Sequence, residues 1–160
     1  MSCVALFVDF ENMQRSMRYS TPDLKAILRF AERLGRVIIR RVYLVFAPKS
    51  LIDAAQKAGY ELVLIPYHHW KPNLVDINMI VDLVDKGSLS CVETVIVVSG
   101  DGDFEPAVRK LREKGKTVFL LAAQSSVSET LKASVDSFLS YEELMETHVE
   151  LPATVPVAAE

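Results

Sequence analysis

Five continuous apolar runs, separated by stretches with helical spacing, restrict the fold of this chain more than any other feature of its sequence. The runs are short and show no alternation of apolar and polar residues; they lie at 3–8, 42–46, 61–65, 94–98 and 117–122. Continuous runs of this kind are typical of strands that are buried on both faces of a parallel sheet.

Helical periodicity fills the intervals between the runs. In the first interval, Thr21 reads as the N-cap, Pro22 as the first helical residue and Gly35 as the end of the helix. Similar stretches cover residues 48–58, 77–87, 104–115, 127–134 and 140–147. This alternating order predicts a three-layer α/β/α sandwich around a parallel sheet of about five strands, with right-handed crossovers.

The length and composition favour a single domain. The chain has 160 residues, of which 50% are hydrophobic, which is enough for one sizeable core. We expect residues 1–148 to form that domain. Residues 149–160 lack periodicity, so we expect them to be a flexible tail.

The charge balance limits the classes of partner. Lys and Arg total 18 against 21 acids, for a formal charge of −3, so a nucleic-acid partner would need a local basic patch. No apolar stretch approaches the roughly 20 residues that span a bilayer, and the first residues do not resemble a secretion signal. We therefore expect a cytoplasmic protein without a membrane partner.

Four aspartates are predicted to lie at one edge of the sheet. Asp9 follows the first strand, Asp101 follows the fourth, Asp103 comes two residues later, and Asp76 lies in the first turn of a helix. Ligands of doubly wound sheets bind at this carboxyl edge, where the strand order reverses. Clustered carboxylates raise one another's pKa unless a cation is bound, and an oxygen-only ligand set favours Mg²⁺ or Mn²⁺. The pattern thus predicts a metal site.

Structural interpretations of these acids stay open. Asp103 precedes a helical stripe directly and would serve as its N-cap, whereas Asp76 would complement the positive end of its helix. Asp101 is not expected to cap the helix in so simple a way, which makes it the stronger candidate for a functional role.

Two further segments are candidates for contacts with a polyanion. The loop of His68, His69 and Trp70 beside Lys71 would stack a base, or it is a partly buried structural loop. A basic cluster beyond the predicted crevice would steer phosphates, or it is an ordinary solvated helix face; it consists of Arg109, Lys110, Arg112, Lys114 and Lys116.

Three separated motifs carry a resemblance to a known family. They read "FVDFENM", "KPNLVDINMIVD" and "VVSGDGDFEPAVRKLREKGKTV", in that order. The chain resembles the NYN domain of the LabA-like group, a branch of the PIN-like nuclease superfamily, from about residue 3 to 140. Relatives often carry Lys-Gly directly before the Val-Asp pair, whereas here Lys71 lies further from Asp76.

The resemblance implies a Rossmann-like, PIN-like sheet with strand order 3-2-1-4-5. It also implies a catalytic metal site, formed by Asp9, Asp76, Asp101 and Asp103. Asn12 and Ser99 match polar positions around that site, and Asp82 matches an acid with no assigned role. We expect Lys71 and Arg109 to hold the substrate backbone.

The function expected from these observations is hydrolysis of RNA phosphodiester bonds with Mg²⁺ or Mn²⁺. A non-catalytic RNA- or nucleotide-binding regulatory module of the same fold is the first alternative. A metal-dependent phosphatase is the second, although the first motif lacks the Asp-x-Asp pair of haloacid-dehalogenase-like enzymes. A homodimer stays open as well, because the later helices carry apolar residues that a partner copy would cover.

Overall fold

A computed structural model describes residues 1–18 and 20–147 of the chain. The expected tail, residues 149–160, lies outside the described residues, and so does His148 at the end of the expected domain. Within the described part, no helix is long and apolar enough to cross a membrane.

One fully parallel sheet forms the centre of the molecule. Its strands are β1 (Cys3–Asp9), β2 (Arg36–Leu44), β3 (Glu61–Leu64), β4 (Thr94–Val98), β5 (Thr117–Ala122) and β6 (Ser137–Ser140). Their order is β3-β2-β1-β4-β5-β6, so the predicted order 3-2-1-4-5 is confirmed and extended by a sixth strand at the edge.

Helices cover both faces of this sheet. They are α1 (Phe10–Ser16), α2 (Leu24–Leu34), α3 (Lys49–Lys57), α4 (Leu74–Gly87), α5 (Glu105–Glu113), α6 (Glu129–Ser134) and α7 (Tyr141–Thr147). The first three helices and α7 pack on one face, while α4, α5 and α6 pack on the other. The predicted three-layer α/β/α sandwich is therefore confirmed.

Successive residues of the central strands supply two separate cores. In β1, Leu6 packs with the α2 side and Phe7 with the α4 side, and both are fully buried. Burial on both faces is the physical reason why β1, β4 and β5 appear as unbroken apolar runs in the sequence.

The start of the second helix differs from the prediction. Asp23, not Thr21, is the N-cap, because its Oδ1 accepts a hydrogen bond from the backbone N–H of Ala26 at 2.9 Å. The helix begins at Leu24, so Pro22 lies before it rather than at its first position. Ser, Thr and Asp all cap helices well, and the chain offers two of them two residues apart.

Candidate functional site

The carboxyl edge of the two central strands forms a crevice. β1 and β4 are hydrogen-bonded neighbours, with Val8 opposite Val98, so Asp9 and Ser99 leave the sheet side by side. Chain connections run in opposite directions from these two strands, which makes this edge the topological switch point of the sheet.

Three of the four predicted aspartates meet at this crevice. Asp76, Asp101 and Asp103 each offer a carboxylate oxygen, and these oxygens lie within 4.8 Å of one another. Asp76 and Asp101 are partly buried and Asp103 is exposed. In the described part of the chain, none of the three forms an ion pair. The cluster thus presents negative charge, from two separate segments, that no ion pair among the described residues neutralises.

Asp101 holds the turn that carries Asp103. Its Oδ1 accepts a hydrogen bond from the backbone N–H of Asp103 at 2.9 Å, and it caps a single 3-10 turn, Gly102–Phe104. Asp103 is therefore not the N-cap of α5; that position is Phe104, which makes no side-chain capping bond, and Asp101 caps the preceding 3-10 turn rather than α5 itself. The 3-10 turn separates the strand from α5, so the capping position falls two residues earlier than a direct strand-to-helix junction would place it.

Asp9, at the end of β1, is not one of the three clustered acids, but it is near enough for the charge of Asp76 to act on it. Its side chain is only 2% exposed. Oδ1 accepts from the backbone N–H of Asn12 at 3.3 Å, and Oδ2 accepts from the hydroxyl of Ser99 at 3.0 Å. Burial, with the nearby charge of Asp76 as the second cause, raises the pKa of Asp9 from 3.8 to about 7. The carboxyl group is thus poised between its two protonation states near neutral pH.

Asn12 and Ser99 join the two strand ends to each other. The Oδ1 atom of Asn12 accepts from the backbone N–H of Gly100 at 2.9 Å, which ties α1 to the loop after β4. The Ser99 hydroxyl donates to Asp9 and accepts from the N–H of Asp101 at 3.2 Å. Both side chains therefore fix the spacing between the acids on the two strands.

Asp76 is the member of the cluster that lies in the first turn of α4. Burial is the main cause that raises its pKa from 3.8 to about 6, and the negative charge of Asp101 is the second. Arg15, in the last turn of α1, acts in the opposite direction on this pKa. Because the raising causes outweigh the single cation, the site favours either bound protons or an added positive charge.

Comparison with known proteins establishes the family. A family model described as the NYN domain matches residues 3–144. The chain belongs to the NYN domain family. An uncharacterized protein of Methanocaldococcus jannaschii is 32% identical over 134 residues, which is 83% of this chain. The chain spans about half the length of that curated relative, 52%.

A solved structure has the same architecture as this NYN domain. It is the crystal structure of a protein of unknown function from Vibrio parahaemolyticus, with a TM-score of 0.77 and 24% sequence identity. The match covers 87% of this chain and 92% of that chain. It supports the three-layer fold, and membership of the NYN family connects that fold to PIN-like, nuclease-type proteins.

Two residues near the acids of this NYN domain were not predicted from sequence: Glu11 and Arg15. Glu11 accepts from the backbone N–H of Val45 through Oε1 at 2.7 Å, its Oε2 is buried without a hydrogen-bond partner, and burial raises its pKa. Its charge contributes to the raised pKa values of Asp9 and Asp76. Only the position of Glu11 beside Asp9 in the sequence could have suggested this role.

Most residues of the predicted basic cluster already form ion pairs or hydrogen bonds within the protein. Arg109 forms an ion pair with Glu105 on the same helix, and Arg112 pairs with Asp136 at 2.9 Å. Lys116 donates to two backbone carbonyl groups. Lys71 differs from these residues, because it is exposed in the turn before α4 and forms no ion pair with any residue that the structure describes.

Asp82 is not part of the acidic cluster, and its hydrogen-bond partners are structural. It accepts from the Tyr43 hydroxyl at 2.6 Å and from Arg41 at 3.0 Å, and so connects the middle of α4 to β2. Arg41 also pairs with Glu61 at 3.0 Å. These contacts hold the helix that carries Asp76 against the sheet.

Proposed function

We propose that this NYN domain is a ribonuclease that hydrolyses RNA phosphodiester bonds with Mg²⁺ or Mn²⁺. The observation that carries the proposal is the convergence of Asp76, Asp101 and Asp103 at the switch point of a nuclease-type fold. Nothing in this mechanism needs a nucleophilic side chain, since water attacks the phosphorus atom.

The donor set fits a hard divalent cation. All three groups are carboxylates, which Mg²⁺ and Mn²⁺ prefer, and no thiol or imidazole belongs to the cluster. No cationic side chain forms an ion pair with them among the described residues. Two to three negative charges within 4.8 Å are stable at neutral pH only when a cation or bound protons offset them. A bound divalent cation would lower the pKa of a water molecule and stabilise charge on the phosphate oxygens.

Asp9 is proposed as the fourth carboxylate of the site. Each of its oxygens accepts one hydrogen bond, and an ionised carboxylate has about four acceptor positions, so further contacts are available to it. Ser99 and Asn12 hold this group and the loop after β4 at a fixed spacing. We assign them a positioning role, because their hydrogen bonds join the parts of the site.

Lys71 is a better candidate than Arg109 for a contact with the substrate phosphates. The exposed ammonium group of Lys71 precedes the helix of Asp76 and is available for a phosphate. Arg109 forms an ion pair with Glu105, and this ion pair would have to break before Arg109 could bind a phosphate. Arg15, whose charge acts on Asp76, is a second basic residue beside the acids.

The proposal is tested by RNA cleavage with Mn²⁺. Asp101→Asn keeps the size of the side chain and an acceptor for the turn, and we expect a loss of activity of about 100-fold or more because one charged ligand is removed. Asp103→Asn is expected to lower activity as well. Asp85→Asn is the matched control, since Asp85 is an exposed acid on α4 outside the cluster.

Three results would separate the candidate functions. Cleavage by the wild type that is lost in Asp101→Asn supports the ribonuclease. RNA binding without any cleavage by the wild type contradicts it and favours the non-catalytic binding module. Release of phosphate from small monoesters, with RNA left intact, contradicts it in favour of a phosphatase.

A further inference from the structure

In the part of the chain that the structure describes, the exposed aromatic side chains lie on two neighbouring loops. Among the described residues, the exposed Phe, Tyr and Trp side chains are Phe46, Tyr67 and Trp70, with exposed fractions of 74%, 58% and 70%. The other described residues of these three types are buried or partly buried. Large aromatic groups normally contribute to cores or interfaces, so their exposure on two adjacent loops indicates a binding surface.

The two loops lie beside each other at the carboxyl edge of the sheet. Leu44 and Leu64 are paired at the ends of β2 and β3, and the N–H of Ile65 donates to the carbonyl of Leu44 at 2.9 Å. Phe46 follows Leu44 by two residues and Tyr67 follows Leu64 by three. Paired strands are about 4.8 Å apart, so both loops begin at the same corner of the molecule.

Both loops are also connected to the acidic cluster. Val45, next to Phe46, donates to Glu11, whose charge acts on Asp9 and Asp76. On the other side, Trp70 lies in a turn in which the N–H of Lys71 donates to the carbonyl of His68 at 2.8 Å. That turn leads into α4, with Asp76 in its first turn. The aromatic loops thus flank the acids on the β2–β3 side.

The chemistry of this surface fits unpaired nucleotides. Aromatic rings stack on the faces of bases, which are accessible only where the strand is not in a duplex, and nearby cations hold the phosphates. His68 and Trp70 already form a ring pair, with centroids 5.0 Å apart. Lys49 and Lys71 are exposed and form no ion pair within the described part of the chain.

We infer that Phe46, Tyr67 and Trp70 form a base-stacking platform that binds the unpaired part of the RNA strand next to the acidic cluster. The inference rests on the proposed action on RNA, but it concerns binding and can be measured while cleavage is blocked. A second copy of the chain would be the competing occupant, because Leu64, Ile77 and Val81 are also exposed. The rings and lysines favour a nucleic acid over such an aliphatic contact.

Trp70 is the single tryptophan of the chain, so its fluorescence reports on the platform directly. The experiment uses Asp101→Asn protein and an RNA oligonucleotide of about ten nucleotides. The same sequence as a duplex and an abasic strand with the same number of phosphates serve as comparison ligands. We expect saturable quenching with the unpaired strand, and at least about tenfold weaker binding of the other two.

Variants test the individual rings. Trp70→Ala and Phe46→Ala, followed by fluorescence anisotropy of labelled RNA, are each expected to weaken binding about tenfold. Val81→Ala is the matched control, because Val81 is 60% exposed on α4 but offers no ring. We expect it to bind RNA as the wild type does.

The inference is overturned if the abasic and unpaired strands bind equally well, or if neither ring variant changes RNA affinity. It is also overturned if the ring variants dissociate a dimer, measured by light scattering, without weakening RNA binding. Failure of the ribonuclease proposal gives a different result. The wild type would bind the unpaired strand, with quenching of its tryptophan fluorescence, but would not cut the strand in Mn²⁺.

Discussion

Asp9 lies next to the acidic cluster and is almost completely buried. It is 2% exposed, and its pKa of about 7 lies well above the value of 3.8 in an unfolded chain. The folded protein therefore binds this proton more tightly than the unfolded chain does. Its contribution to stability is complete below about pH 4 and is lost as the pH rises through about 7.

Asp9→Asn is predicted to stabilise the metal-free protein while removing activity. The amide carries no charge to bury, so we expect its free energy of unfolding to exceed that of the wild type by about 4 kcal/mol at about pH 8 and by little at about pH 4. Urea unfolding at both pH values, in the presence of a chelator, measures the difference. An equal difference at both pH values would contradict the assigned pKa.

Sequence reasoning located the acids but not their environment. Asp9 and Asp101 could be predicted because each directly follows an apolar run that only a buried strand explains. The burial of Asp9, and the roles of Glu11 and Arg15, depend on contacts between segments distant in the sequence, such as the bond from Val45 to Glu11. Local patterns carry no signal for such contacts.

At the scale of the helix, the attachment of α4 to the sheet determines where Asp76 lies. Tyr43 is fully buried, and its hydroxyl donates to Asp82 at 2.6 Å. Burial is the main cause that raises the pKa of this hydroxyl, so it remains a donor at neutral pH. The contact links the helix to β2 about two turns after Asp76.

Tyr43→Phe is predicted to weaken this attachment without opening a cavity. The ring remains in the core, but Asp82 loses one donor, and we expect the free energy of unfolding to fall by about 1–2 kcal/mol. Denaturant unfolding measures the change, with Asp85→Asn as a control at an exposed position of the same helix. An unchanged stability would show that Arg41 alone holds Asp82.

Some elements were missed in the sequence for physical reasons. β2 begins at Arg36, six residues before the predicted run, because its first half has arginines among its apolar residues. β6 has the sequence SFLS, and because two of its four residues are serines, this edge strand does not appear as an apolar run. The seven residues of α1 are too few to show a helical period, and α1 is held by the Asp9 cap and its buried Phe10 and Met13.

For the whole molecule, the acidic cluster predicts that stability depends on divalent cations. The proposed Mn²⁺ site is assembled only in the folded protein, so a concentration of 100 times Kd should add about 2.7 kcal/mol. The rise in melting temperature should be larger at about pH 8 than at about pH 5, because protons compete for Asp9 and Asp76 at the lower pH. Differential scanning fluorimetry measures it, and Asp101→Asn should abolish most of it.

The central claim is that Asp76, Asp101 and Asp103 form a binding site for a divalent cation. The most direct measurement is anomalous scattering from a crystal of this protein soaked in Mn²⁺ at neutral pH. We predict an anomalous peak in contact with carboxylate oxygens of Asp76, Asp101 and Asp103, and its loss in Asp101→Asn crystals. A well-ordered crevice without a peak, or a peak found only at other residues such as His68 and His69, would contradict the account.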